Sequence, residues 1–301
     1  MASARKASSP LRAGSLIVTV FGDLVAPRGG EVAYAGLARI LAPFGVNDSQ
    51  LRTALSRLVA EDWLVSERVG RLAYYALAPS GLKRTREAEA RIYAAAPPAW
   101  NGTWCVALLP DLPPGAREAV RRPLSWLGFG AVGPQTMLHP NPDPAALASL
   151  LADLAKPLRP LIVEGPGTAG DAAQALVRQG WDLAALGRGY RGFIDGFAPL
   201  ARAARKEISP EAALEGRVRL VHEFRRLALR DPGLPGELMP RDWVGGAARR
   251  FAGDLYRRLR PASEAWIDAN LLDSNGKLPP PSAASRQRFG GDMSRKRVSW
   301  R

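Results

Sequence analysis

Two arginines on a helix-patterned stretch with few acids carry the clearest chemistry in this chain. From Asn47 to Glu61, Leu51, Ala54, Leu55, Leu58 and Val59 recur at helical spacing and form one apolar stripe. The opposite face carries Ser49, Thr53, Ser56, Arg57 and Ala60, with Arg52 on its edge and no carboxylate until Glu61. Small polar residues and guanidinium groups suit close approach to a polyanion, as a recognition helix makes in a DNA major groove. Asn47 and Gln50, three residues apart, are suited to cap the helix start reciprocally. Just downstream, Arg68 and Arg71 flank Gly70 between two strand-like runs, Leu64–Arg68 and Leu72–Leu77. A helix followed by a hairpin with arginines near its tip is the layout of a winged helix-turn-helix. On this reading Thr53 and Arg57 face base edges, while Arg52, Arg68 and Arg71 contact phosphate or the minor groove, with Ser49 and Ser56 on the same surface.

Other residues invite different chemistry. Gly165-Pro166-Gly167-Thr168-Ala169-Gly170 has the spacing of a dinucleotide-binding loop after a strand. No strand ending in an acid follows at the required distance, and Pro166 removes a backbone donor, so a joint between domains is the plainer reading. The run His222-Glu223-Phe224-Arg225-Arg226 has acid–base character but no accompanying nucleophile or paired carboxylates, which favours a helix-surface cluster. Arg188, Tyr190 and Arg191, in the glycine-spaced run 187–192, are able either to hold an anion or to line a closely packed helix. Two distant histidines, His139 and His222, and the single Cys105 argue against a metal site and against a disulfide framework. No catalytic constellation is evident.

These residues need a scaffold, and the pattern implies an α+β multi-domain chain. Residues 15–25 and 33–42 supply two further helices ahead of the expected reading helix, with Pro43-Phe44-Gly45 as the turn, and residues 80–93 add a charged helix. Residues 1–13 read as a disordered arm, 14–97 as the winged helix domain, and two prolines mark a linker over 94–99. Over 98–166 the order β-α-β-β-α-β predicts a small ferredoxin-like module. Helical patterns then run through a third domain, 167–272, and 273–301, with Pro279-Pro280-Pro281 and many serines and arginines, reads as a disordered basic tail. The formal net charge is +14; the first twelve residues contribute +3 and the segment from Asp273 on contributes +5. Residues 13–95 hold ten bases and eight acids, so the case for DNA rests on where the arginines fall. The only apolar run near the N-terminus, Leu16 to Phe21, is too short to span a membrane and lacks a cleavage signature, which makes the cytoplasm the expected location.

Several runs resemble the PaaX family of transcriptional repressors, regulators of phenylacetic acid degradation. They are Leu16-Ile17-Val18-Thr19-Val20-Phe21-Gly22-Asp23, Pro27-Arg28-Gly29-Gly30, Leu41-Ala42-Pro43-Phe44-Gly45, Arg52–Leu58, Ser66–Arg71 with Tyr74-Tyr75, and Trp181-Asp182-Leu183 with Tyr190 and Phe193. His222–Arg226, Arg230-Asp231-Pro232, Leu234-Pro235, Leu238-Met239-Pro240 and Asp242-Trp243 complete the series, so the likeness spans about residues 14–260. Gly245 and Gly246 depart from it, standing where the family commonly has Trp-Pro-Gly. The resemblance implies a homodimer on double-stranded operator DNA, and an aryl-acetyl coenzyme A effector such as phenylacetyl-CoA. It implies no bound cofactor. A coenzyme A ester needs cations or amides beside an apolar pocket. Arg188, Tyr190, Arg191, His222, Arg225 and Arg226, among nearby aromatics, are the candidates. Two other readings remain: a nucleotide- or CoA-dependent enzyme built on the middle and C-terminal domains, supported only by the glycine loop, and a ligand-free nucleic-acid-binding scaffold.

Overall fold

A computed structural model describes residues 13–94, 99–167 and 170–290. The arm before Ala13, most of the expected linker and the last stretch of the tail lie outside the described residues. The chain mixes helices with small antiparallel sheets and divides into two compact units. One draws on the chain up to residue 94, on 196–225 and on the segment from 250 on; the other takes 95–195 and 226–249. The segment 167–272, expected as one helical domain, is therefore shared between the units.

In the first unit, helix α1 (Ala13–Val20) continues into a π-helical turn, Phe21–Val25. Gly29, at φ 90°, ends the turns that follow and leads into strand β1 (Glu31–Ala33). Helix α2 (Tyr34–Leu41) comes next, then a 3-10 turn closed by Gly45 in the left-handed region at φ 77°. Helix α3 (Asp48–Ala60) buries Leu51, Leu55 and Leu58 against Leu16, Ile17, Val20 and Leu37. Each such side chain, fully buried, contributes roughly 1.5–3 kcal/mol. Strands β2 (Leu64–Val69) and β3 (Leu72–Leu77) form a hairpin that β1 joins, in the order β1-β3-β2. Strand β1 was not expected, because three residues are too few to show alternation. Helix α4 (Pro79–Tyr93) closes this part. Its Gly81 is obligatory, since a Cβ there would lie 2.1 Å from the carbonyl oxygen of Trp63.

The second unit holds a four-stranded antiparallel sheet of β4 (Thr103–Leu108), β5 (Gly130–Ala131), β6 (Thr136–His139) and β7 (Leu161–Pro166), in the order β5-β6-β4-β7. Helices α5 (Pro114–Trp126) and α6 (Pro144–Asp153) pack Val120, Leu124 and Leu147 on Cys105, Ala107 and Met137. On the other residues of the sheet, Trp104 and Leu138 meet Ala173 and Val177 of α7 (Asp171–Gly180). Helices α8 (Leu183–Ala203), α9 (Pro210–Ala228) and α10 (Gly245–Asn270) each contribute residues to both units. The Gly245 departure has a packing reason: a Cβ there would lie 2.6 Å from the indole nitrogen of Trp243.

The segment from Asp273, expected to be disordered, is folded as far as Gly290. A small hairpin of β8 (Leu272–Asp273) and β9 (Gly276–Lys277) precedes a short helix, α11 (Ala283–Arg286). Ser282 donates its amide to the carbonyl of Pro27 at 2.9 Å, and Arg288 and Phe289 are buried in the first unit. The composition signalled disorder, but Arg288 answers a buried carboxylate, which a tail-like sequence gives no sign of.

Candidate nucleic-acid interface

Asn47 forms the expected reciprocal cap on α3. Its Oδ1 accepts the Gln50 amide at 2.9 Å, and Gln50 Oε1 accepts the Asn47 amide at 3.0 Å. The cap fixes where the helix begins and so which residues face outward. Ser49, Arg52, Thr53, Ser56, Arg57 and Ala60 are all exposed. Thr53 Oγ1 donates to the Ser49 carbonyl at 2.9 Å, which leaves its hydroxyl oxygen able to accept a further hydrogen bond. Arg52 and Arg57 lie at the two margins of this face. Arg52 donates from Nε to Asp48 at 2.7 Å, and Arg57 lies 3.3 Å from Glu61. Beside Arg57 is Gly14, where a Cβ would stand 3.1 Å from the guanidinium. Both ion pairs join exposed groups, where solvent screens the attraction and leaves each pair weak. A phosphate or a guanine edge can therefore take over either arginine.

The hairpin supplies the second part of the surface. Its register pairs Val69 with Leu72, so the turn is Gly70-Arg71 alone, one residue tighter than the sequence implied. Gly70 sits at φ 62° while Arg71 has no positive φ, the pattern of a type II′ turn, which matches the twist of the flanking strands. Every residue of β2 beyond Leu64 is exposed, Arg68 included, as is Arg71 in the turn, and Val69 and Leu72 are 47% and 55% exposed. Strand β2 is exposed on both faces beyond its first residue, whereas β3 buries Tyr74, so β2 and the turn are the parts available to contact something other than the domain's own core.

The six residues expected to hold an effector do not fall in one unit. His222 and Arg225 belong to the first. There His222 Nδ1 lies 2.9 Å from Thr19 Oγ1, and Arg225 donates to Thr19 Oγ1 at 2.8 Å and to the Ser15 carbonyl at 3.0 Å. Burial lowers the pKa of Arg225. These two side chains tie α9 to α1. Arg188, Tyr190, Arg191 and Arg226 belong to the second unit. Tyr190 is buried, donates to Asp231 at 2.7 Å and meets Trp243 edge-on, while the three arginines are exposed.

Thr168 and Ala169 of the glycine loop lie outside the described residues, and the strand that leads into it lacks the frame of a dinucleotide site. Gly165 and Pro166 are the last residues of β7, which runs antiparallel to β4, whereas the fingerprint requires a parallel strand. Gly167 donates its amide to the Gly102 carbonyl at 2.8 Å. Burial, with Glu164 opposite, pushes the Cys105 thiol up to about 11, so it is no thiolate at neutral pH.

Sequence reasoning missed the largest polar construction in the first unit. Asp23, in the π-helical turn, accepts hydrogen bonds from Tyr93 (2.8 Å), Tyr256 (2.9 Å), Arg288 (2.9 Å) and Arg217 (2.8 Å). Arg217 also donates to Glu264 at 2.6 Å, and Arg28 reaches Glu264 from Nε at 2.9 Å and Asp268 at 2.7 Å. An acid embedded between Phe21 and Leu24 was the available signal, since a charge in so apolar a run must be paired if the helix is buried.

Residues 12–81 match the model of the PaaX-like protein family, and residues 181–269 match that of the PaaX-like protein C-terminal domain. The chain is 36% identical over 288 residues to the transcriptional repressor PaaX of Escherichia coli (strain K12), covering 94% of this chain and 91% of that protein. Among solved structures, an uncharacterized protein from Mycobacterium tuberculosis is similar in fold, with a TM-score of 0.55 and 24% identity across 84% of this chain and 97% of that one. The extent of the match to the repressor, together with both domain models, establishes that this chain belongs to the PaaX family, whose members are transcriptional repressors and not enzymes.

Proposed function

We propose that this chain is a DNA-binding repressor of an aromatic-acid catabolic operon, working as a cytoplasmic homodimer that an aryl-acetyl-CoA such as phenylacetyl-CoA releases from its operator. The observation that carries the DNA reading is the exposed face of α3 beside an exposed hairpin bearing Arg68 and Arg71. The chain order α1-β1-α2-α3-β2-β3, with the sheet ordered β1-β3-β2, supports reading residues 14–97 as a winged helix-turn-helix. The order β5-β6-β4-β7, antiparallel throughout, supports a ferredoxin-like module over 98–166. Thr53 and Arg57 face base edges, and Arg52, Arg68 and Arg71 take phosphates or the minor groove. The effector and the operon rest on family membership. Among the described residues no helix is long and apolar enough to cross a membrane.

A gel shift with the gene's own upstream DNA tests both halves of this reading. A shift that phenylacetyl-CoA reverses and free coenzyme A does not is the expected result. A shift that no aryl-acetyl-CoA reverses contradicts the effector, and no shift with any upstream fragment contradicts the DNA reading.

A further inference from the structure

Arg52 is held from two sides by residues that no motif pointed to. Tyr34, the first residue of α2, donates its hydroxyl to Asp48 Oδ1, and Asp48 Oδ2 accepts from Arg52 Nε at 2.7 Å. The Arg52 guanidinium also lies over the Tyr34 ring, 5.0 Å from its centroid. One carboxylate at the first turn of α3 thus bridges a phenol and a guanidinium, and the phenol ring supports that same guanidinium from its face. Arg52 remains 68% exposed, and its bond to Asp48 uses Nε, so the donors on both Nη groups are left for another acceptor. A guanidinium held through Nε with its Nη donors unspent is set for a phosphate at the amino-terminal end of α3, where the helix dipole also favours an anion.

We infer that Tyr34 and Asp48 are positioning residues that fix the Arg52 guanidinium for one operator phosphate. This rests on the DNA reading above. A free arginine side chain must lose rotamer freedom when it meets a phosphate. Here much of that ordering is already present before DNA arrives. Burial and the bond to Asp48 raise the Tyr34 hydroxyl to about 12, so it stays a donor throughout the physiological range. The bonds from Arg52 and Tyr34 lower the Asp48 carboxyl, so the bridge stays ionised to below the ordinary carboxylate range.

A double-mutant cycle on operator affinity tests the inference, using the full chain and a duplex from the gene's upstream region. Arg52→Ala should weaken binding roughly tenfold, the scale of one charged hydrogen bond. Tyr34→Phe keeps the ring and removes the hydroxyl, and should weaken binding about threefold in the wild-type background. In the Arg52→Ala background the same substitution should change nothing, a coupling that a purely structural tyrosine would not show. Equal losses in both backgrounds, or no loss in either, overturn the positioning role. A wild-type protein that binds no upstream DNA overturns the DNA reading itself, so the two failures are distinguishable.

Discussion

Arg57 should carry the largest single share of operator discrimination. Its pairing with Glu61 joins two exposed groups, and such a pair is worth less than a bidentate contact to guanine. Arg57→Ala is expected to cost about 1–3 kcal/mol on the operator and to relax preference at one base position, read by binding to a panel of single-base operator variants. Unchanged affinity and selectivity would remove Arg57 from the base-reading set. Arg68→Ala and Arg71→Ala should instead weaken every duplex alike and lower the salt slope by about one unit each. The exposed arginines were legible in sequence because helical periodicity alone decides which face they occupy. Their acidic partners were overlooked, although Asp48 precedes Arg52, and Glu61 follows Arg57, by the four residues that bring side chains together on a helix. The bond from Tyr34 was not legible, since it joins two helices across a turn. Nor was the use of His222 and Arg225, whose partners Ser15 and Thr19 lie at the far end of the chain.

At the scale of elements, the reading helix and the hairpin depend on a few local devices. Asn47→Ala removes the cap from α3 and should cost about 0.5–2 kcal/mol in urea unfolding, with a parallel loss of operator affinity as the first turn frays. Gly81→Ala should cost more than the cap does, because the added Cβ meets the backbone carbonyl of Trp63, which no side-chain rotation can relieve. A Gly81→Ala protein as stable as wild type would contradict that packing. Most helices and the hairpin were readable because their periodic runs exceed two turns or are bounded by Gly and Pro. The short strand β1 was not, and neither was the length of α10, which runs through Pro261 to Asn270. A proline within a helix normally marks its end.

For the molecule as a whole, Asp23 is the hinge of stability. Burial pushes its carboxyl up, but Arg217 and Arg288 outweigh burial and hold it below its ordinary value. A carboxylate depressed in the folded state stabilises fully above the unfolded value of about 4, and that contribution is lost as pH falls through the lower folded value. Asp23→Asn leaves two buried guanidinium groups short of a counter-charge and should cost about 3–5 kcal/mol at neutral pH. The gap to wild type should hold down to about pH 4 and shrink below it; a constant gap at all pH values would contradict the assignment. Arg288 supplies part of that charge from a segment whose composition promised no folded structure, so removing residues 283–301 should destabilise the first unit. Removing only 291–301 should lower the salt dependence of DNA binding without moving the footprint, because that stretch is basic and its contacts are screened. The central claim, that α3 and the hairpin read an operator, is met most directly by an anisotropy titration of the full chain against its upstream duplex and a scrambled duplex at one fixed salt concentration. The expected result is at least a thousandfold tighter binding to the upstream duplex, with Arg57→Ala losing roughly tenfold or more of that ratio. Equal affinity for the two duplexes would contradict the account.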